Sequence, residues 1–269
     1  MRLMNLRKMN YAAAMVFVIS CFFISGNVSA EVKAKAISYK DGGVTLNGVL
    51  AWDTKGSGKR PGILVIDEWW GLTDWAKNLA SQLAAAGYVA FAADMYGDGK
   101  TTDDPAVAKK WMTEIISNPD LWKRRAQMGL NVLKADKNVD GNKLAAMGSS
   151  FGAATAIQMS YWGHDIKAAV SIAAGMTQPP PKGVSSVKPR MLIFIGADDT
   201  ATPPEKIKSF MEGCAGVDID YQIITYSGTR HSFTNPMANK RGIANLAYNK
   251  RSAERSWKAT MALFDEVFR

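Results

Sequence analysis

The pentapeptide Gly148-Ser149-Ser150-Phe151-Gly152 has the pattern G-x-S-x-G, in which a serine sits on a sharp turn between a strand and a helix. Such a turn strains the serine backbone, so the residues two positions away must be almost free of side chain. Gly148 and Gly152 meet that demand, and Ala153 continues it. Ser150 Oγ would then stand at the carboxyl edge of a sheet, above a helix N-terminus whose amides favour developing negative charge. A hydroxyl needs a base beside it to attack near neutral pH. The chain has only 2 histidines, His164 and His231. His164 falls near the end of the helix that Phe151 begins, where it would cap the helix or face solvent. His231 follows the last predicted strand, within Gly228-Thr229-Arg230-His231-Ser232-Phe233, at the same edge as Ser150. In this kind of site the acid lies between serine and histidine in the chain. Asp198 and Asp199, in Gly196-Ala197-Asp198-Asp199-Thr200, end an apolar run at 191–195. One can orient His231 and the other can cap the turn; spacing leaves the choice open.

The elements that must hold these groups alternate along the chain. Residues 33–39 and 44–52 flank Asp41-Gly42-Gly43 and read as an opening hairpin. Ile63-Leu64-Val65-Ile66 is an unbroken apolar run of the kind buried on both faces of a parallel sheet. Further short apolar runs at 89–93, 144–147, 168–173, 191–195 and 219–226 predict strands. Helical spacing is found from Asp74 to about Ala86, at 106–116, 121–133 and 252–267, and a small-residue helix is expected from Phe151 to about Trp162. Pro179-Pro180-Pro181 reads as a surface loop, because the alternation continues beyond it. The expectation is one α/β domain over 31–269, a doubly wound, mostly parallel sheet with an N-terminal β-hairpin.

At 269 residues with 47% apolar and 21% charged residues, the chain can bury a sizeable core and is excluded from the disordered and fibrous classes. The formal charge is +9, but its longest basic run, Lys123-Arg124-Arg125, reads as a solvated helix face, so no nucleic-acid partner is expected. Two cysteines and two histidines, all far apart, offer no zinc-ligand spacing, and no G-x-G-x-x-G follows a strand; neither a metal nor another cofactor is expected. Cys214 has no basic neighbour to activate it. Residues 1–30 read as a signal peptide: Arg2, Arg7 and Lys8 precede an uncharged apolar run at 11–24, and Val28 and Ala30 supply the small residues of a cleavage site. That run is shorter than the roughly 18–20 residues of a membrane-spanning helix. Cleavage between Ala30 and Glu31 would export the chain to a bacterial periplasm or outside the cell, with no stable membrane insertion.

Taken together, these residues resemble the dienelactone hydrolase family of the α/β-hydrolase fold. The resemblance runs over nearly all of the chain after residue 30. It is carried by Ile66-Asp67-Glu68-Trp69-Trp70-Gly71-Leu72, Ala93-Asp94-Met95-Tyr96, the serine turn, Gly196-Ala197-Asp198-Asp199 and His231-Ser232-Phe233-Thr234-Asn235-Pro236. It implies Asp199 as the acid, three residues after the glycine, and His231 as the base. It further implies the backbone N–H groups of Trp69 and Phe151 as the oxyanion hole, and Glu68 as a group contacting the resting nucleophile. Trp69 and Trp70 would then flank that hole, Trp70 as a candidate for substrate contact. Two positions depart from the pattern. Ser150 stands where the best-known members have cysteine, and Asn235 stands where they bind a substrate carboxylate with arginine.

The expected protein is a serine hydrolase, monomeric or weakly self-associating, acting on a small carboxylic ester through Ser150, Asp199, His231 and an acyl-enzyme. A lactonase or thioesterase is the neighbouring alternative. A hydrolase-fold ligand-binding protein without turnover is the non-enzymatic one.

Overall fold

In a computed structural model, residues 30–174 and 178–269 are described; the signal-peptide segment lies outside them, apart from Ala30. The opening hairpin is β1 (Val32–Asp41) and β2 (Val44–Asp53), paired antiparallel in full register through the two-residue turn Gly42-Gly43. Gly42 takes φ 57 there, the positive dihedral that a two-residue hairpin turn requires. After it come β3 (Arg60–Ile66), α1 (Asp74–Ala85), β4 (Val89–Ala93), α2 (Pro105–Ile116), α3 (Pro119–Ala135) and β5 (Val139–Ser149). The remainder is α4 (Phe151–Tyr161), β6 (Ala168–Ile172), β7 (Ser186–Gly196), α5 (Pro204–Gly213), β8 (Asp218–Tyr226) and α6 (Lys250–Val267). The strands form one eight-stranded sheet in the order β1-β2-β4-β3-β5-β6-β7-β8. From β4 to β8 every neighbouring pair is parallel, while β2 joins β4 antiparallel. This is the expected doubly wound sheet with its N-terminal hairpin.

Helices cover both faces, and the strand residues alternate between two apolar clusters. Leu64, Ile66, Leu144 and Ala146 face the side of α3 and α4, with Trp122, Leu130 and Ile157. Ile63, Val65, Ala145 and Met147 face α1 and α6, with Leu79, Leu83 and Phe264. Local signals start the helices. Asp104 and Asn118 accept the amides of Ala106 and Leu121 at the heads of α2 and α3, each followed by a proline in the first turn. Asn249 does the same for Ser252 at the head of α6, as N-cap side chains do.

Three strands start well ahead of their apolar runs, β3 among them at Arg60. β5 begins at Val139 and β7 at Ser186, through polar residues that pair with β3 and β8 across register shifts. The apolar runs miss these starts because polar and glycine residues at 140–143, and Lys188-Pro189-Arg190, separate the buried Val139 and Val187 from them. The run Lys123-Arg124-Arg125 also departs from expectation. Arg125 is buried on α3, and both Arg124 Nε and Arg125 Nε lie 2.6 Å from the Asp41 carboxylate at the hairpin turn. Arg124 and Arg125 thus fasten the hairpin to the α3 face, while Lys123 is exposed. Removing one partner of a buried ion pair strands the other charge. Asp41→Ala is therefore expected to lower unfolding free energy by about 3 kcal/mol, measured by urea denaturation.

Candidate active site

The parallel strands end together at one edge, where Ile66 is level with Gly148, Ser149 with Ile172, and Gly196 with Tyr226. Side chains on the loops just beyond that edge converge, as in other open α/β sheets. Ser150 is the single residue between β5 and α4, at φ 53 and ψ −109. For a residue with a side chain this is strained backbone, worth on the order of 1–3 kcal/mol. It is held from both sides: Ser150 N–H donates to the Ile172 carbonyl at 2.9 Å, and its own carbonyl accepts from Ala154 at 3.1 Å. The glycines are needed for contact as well as for the turn. A Cβ on Gly152 would lie 2.0 Å from the Ile66 carbonyl oxygen, and one on Gly148 would lie 2.5 Å from the Gly152 carbonyl carbon. Their bareness lets α4 start directly against the end of β3, which brings the loop from Asp67 to Leu72 beside Ser150.

His231 arrives on the loop after β8. Its Nε2 lies 2.9 Å from Ser150 Oγ and its Nδ1 lies 2.7 Å from Asp199 Oδ2. A carboxylate accepts only, so Nδ1 carries the proton and Nε2 presents a lone pair to the Ser150 hydroxyl. Asp199 is 3% exposed. Burial pushes its carboxyl up, but the hydrogen bond and charge of His231, the Asn245 amide and the Ala201 N–H together hold it below the ordinary aspartate range. Its contribution to stability is therefore present above the ordinary value and is lost as pH falls through the folded one. Asp198 is exposed, and the turn it was expected to cap is made by Asp199 Oδ1, which accepts from Ala201 N at 2.8 Å. One carboxylate thus fills both roles, since its two oxygens point to different partners.

Asn245 is the residue that no sequence pattern singled out from its neighbours Asn239 and Asn249. Its Nδ2 donates to Asp199 Oδ1 at 2.9 Å, its Oδ1 accepts from Thr200 N at 3.0 Å, and its carbonyl accepts from His231 N at 2.9 Å. Acid loop and histidine loop are joined through this one side chain and its backbone. The two loops also touch directly, as a Cβ on Gly196 would lie 2.3 Å from the Thr229 carbonyl oxygen.

The backbone N–H groups of Trp69 and Phe151 donate to no carbonyl of the described chain. Trp69 is half-buried, and its carbonyl accepts from Tyr96 Oη at 3.2 Å. The Phe151 ring is buried between Tyr96 and Trp122, stacked at 5.7 Å and 5.9 Å, which fixes the first turn of α4. Trp70 is placed otherwise than as a substrate contact. It is 1% exposed, with Trp69 edge-on at 4.9 Å and the Arg241 guanidinium 4.3 Å above its ring, so it serves as packing. Glu68 is buried and its oxygens accept from Ser149 Oγ and Asn235 Nδ2, each at 3.0 Å. The hydroxyl it meets is that of Ser149, because alternation along β5 turns Ser149 to the α1 and α6 side with Met147. Ser150 Oγ is engaged by His231 instead.

Asp67 and Asp94, from the two motifs ahead of the serine turn, act on backbone. Asp94 accepts the amides of Asn47, Tyr96, Gly97 and Gly99. Asp67 accepts from Glu68 N, Thr73 N and Thr73 Oγ1; burial pushes its carboxyl up to about 7. His164 is buried past the end of α4, with Nδ1 3.2 Å from the Met159 carbonyl, and burial lowers its pKa. Cys214 is buried and free, its thiol pKa raised by burial. Neither is near Ser150 in the hydrogen-bond network. A cavity of about 760 Å³ opens between α1 and α6 over Met147 and Ile172; it includes Thr234 and Asn235 of the histidine loop but neither Ser150 nor His231. Among the described residues no three His, Cys, Asp or Glu side chains cluster closely enough to hold a metal, and no helix is long and apolar enough to cross a membrane.

A serine on a strand–helix turn, followed in the chain by an acid and a histidine at one sheet edge, defines a hydrolase of the α/β-hydrolase fold. The profile of the dienelactone hydrolase family matches residues 46–268, and the chain belongs to that family, whose reactions are on ester bonds. The structure described as a dienelactone hydrolase-like promiscuous phosphotriesterase, P91, from metagenomic libraries is similar at TM-score 0.84 and 36% identity, over 88% of this chain and 98% of that one. A protein of Aquifex aeolicus, provisionally named a carboxymethylenebutenolidase, is 24% identical over 232 residues, covering 85% of this chain and 96% of its own. A dienelactone hydrolase structure from Klebsiella pneumoniae, also provisionally named, shares the fold at TM-score 0.71 and 20% identity, over 87% of this chain and 99% of that one.

The two acids and Asn245 are separable by mutation. Asp199→Asn is expected to lower kcat by about 10⁴-fold, the loss seen when a triad acid becomes an amide that fixes the wrong histidine tautomer. Asp198→Asn, at an exposed carboxylate, should leave both kcat and melting temperature nearly unchanged. A hydrogen bond to a charged group is worth about 1.5–3 kcal/mol, so Asn245→Ala should lower kcat by roughly 10- to 100-fold. Steady-state kinetics and thermal melts on the three variants check all of these; a larger rate loss at Asp198 than at Asp199 would refute the assignment.

Proposed function

We propose that this chain is an exported serine hydrolase that cleaves a small carboxylic ester through Ser150, His231 and Asp199. The observation that carries the reading is the continuous relay from Ser150 Oγ to His231 Nε2 at 2.9 Å and from His231 Nδ1 to Asp199 Oδ2 at 2.7 Å. Ser150 attacks the ester carbonyl carbon while Nε2 takes its proton. Asp199 stabilises the imidazolium that forms and keeps the ring in the required tautomer. The amides of Trp69 and Phe151 donate to the tetrahedral oxyanion, Phe151 from the positive end of α4. Collapse expels the alkoxide, which receives the proton from Nε2. Water, activated by the same nitrogen, then releases the acid and restores Ser150.

A hydroxyl nucleophile favours oxygen esters. Asn235, where the family's dienelactone-binding members have arginine, is committed to Glu68 and to Met237 N, which speaks against a substrate whose carboxylate needs a cation there. The P91 likeness makes a phosphotriester a second substrate to try, since the same two amides could receive a phosphoryl oxygen. Residues 1–30 are proposed as a cleaved export signal on the strength of their charge and apolar pattern.

Short p-nitrophenyl esters should be turned over by the mature protein, and Ser150→Ala should abolish that turnover while melting as the wild type does. A fluorophosphonate probe should label Ser150; label on Cys214, or full activity in the Ala variant, would overturn the mechanism. Binding of the ester without turnover would instead favour a ligand-binding protein. Intact-mass measurement of protein recovered from cells should show an N-terminus at Glu31, and a retained leader would refute the export reading.

A further inference from the structure

We propose that Glu68 is a positioning residue, whose buried carboxylate ties the loop after β3 to the nucleophile strand and to the histidine loop. The inference rests on the Ser150 acyl-enzyme reading and deepens it. Glu68 is 2% exposed, Ser149 is fully buried, and Asn235 is 2% exposed. Oε1 accepts from Ser149 Oγ and Oε2 from Asn235 Nδ2, both at 3.0 Å, and Asn235 Oδ1 in turn accepts from Met237 N at 2.9 Å. Each of the three residues is a near neighbour in the chain of a reacting group. Ser149 precedes the nucleophile, Glu68 precedes the Trp69 amide, and Asn235 lies on the loop that carries His231. Two hydrogen bonds through one carboxylate therefore fix two loops and the end of β5 against one another where the tetrahedral intermediate forms.

Packing does not account for this arrangement. A carboxylate buried with only neutral donors loses its hydration without the return of an opposite charge, and an apolar side chain in the same space would avoid that. Direct participation in proton transfer does not account for it either. His231 already holds the Ser150 hydroxyl, and both Glu68 oxygens are turned to other partners. What the carboxylate supplies is acceptance of two hydrogen bonds at a fixed place. Its effect is exerted through the Trp69 amide, whose loop has no other side-chain tether to the nucleophile strand among the described hydrogen bonds.

A function of this kind survives loss of charge if both hydrogen bonds survive. The Gln carbonyl can accept from Asn235 while its amide donates to Ser149 Oγ, since a hydroxyl can turn to accept. The test compares Glu68→Ala and Glu68→Gln by kcat and KM on a short p-nitrophenyl ester, with fluorophosphonate labelling counting the competent Ser150 in each sample. Loss of one oxyanion donor lowers kcat by about 10²–10³-fold, so Glu68→Ala should lose on the order of 10²-fold in kcat with little change in KM. Glu68→Gln should recover most of that loss. Asn235→Ala removes one tether and leaves the carboxylate, and a smaller fall in kcat at constant KM is expected even if Glu68→Ala does not fold. Equal losses in Gln and Ala, or full kcat in Ala and in Asn235→Ala with only a lower melting temperature, would overturn the proposal. Wild-type protein that takes no label at Ser150 would overturn the acyl-enzyme reading itself, and this inference with it.

Discussion

The approach of Gly152 to the Ile66 carbonyl oxygen, where a Cβ would stand only 2.0 Å away, is the contact on which the site depends. It lets α4 begin against the end of β3 with one strained residue between strand and helix. That residue is Ser150, at φ 53 and ψ −109. The strain, on the order of 1–3 kcal/mol, persists because the surroundings over-determine it. Gly148 and Gly152 interlock beneath the turn, Ser150 bonds to Ile172 and Ala154, and Phe151 is stacked between two rings. With the turn in place, the first turn of α4 starts beside the end of β3 and the loop that follows it.

The other half of the site depends on a second close approach, between Gly196 and Thr229. It places the loop after β7 against the loop after β8, so that Asp199 and His231 meet without either side chain being long. A buried carboxylate is stable only when its acceptors are filled. Asp199 has four donors within reach: His231, Asn245, Ala201 and, at the longest distance, Thr202. These donors hold it ionised and fix its orientation, which in turn fixes the tautomer of His231. Orientation and electrostatics are supplied by the same bonds.

Most of the fold was legible because the parallel strands are apolar on both faces and the helices carry strong start signals. Ser150 and His231 were legible because glycine spacing and histidine scarcity leave little choice. The acid was legible only through the family likeness, since Asp198 and Asp199 are equivalent by spacing. They differ in burial, which depends on Asn245 arriving from a loop nearly fifty positions away. Asn245 itself left no trace in the sequence, because a polar residue in an irregular loop has no periodicity to betray its partner. The family likeness points Glu68 at the nucleophile hydroxyl, whereas its partner is the hydroxyl of the neighbouring Ser149. The turn from β5 into α4, which sends Ser149 and Ser150 to different sides, decides which one it meets, and no local pattern at Glu68 carries that. The Arg124 and Arg125 pairing with Asp41 was hidden for the same reason: it joins a hairpin turn to a helix across the sheet.

Under the proposed mechanism the chain works by acylating Ser150. The most direct test is to stop a reaction with acid during turnover of a short p-nitrophenyl ester and map the digested protein by mass spectrometry. A peptide containing Ser150 should carry the mass of the acyl group, formed in a burst matching the first equivalent of p-nitrophenol. Turnover with no acyl adduct on that peptide and no burst, or an adduct on Cys214 instead, would contradict it.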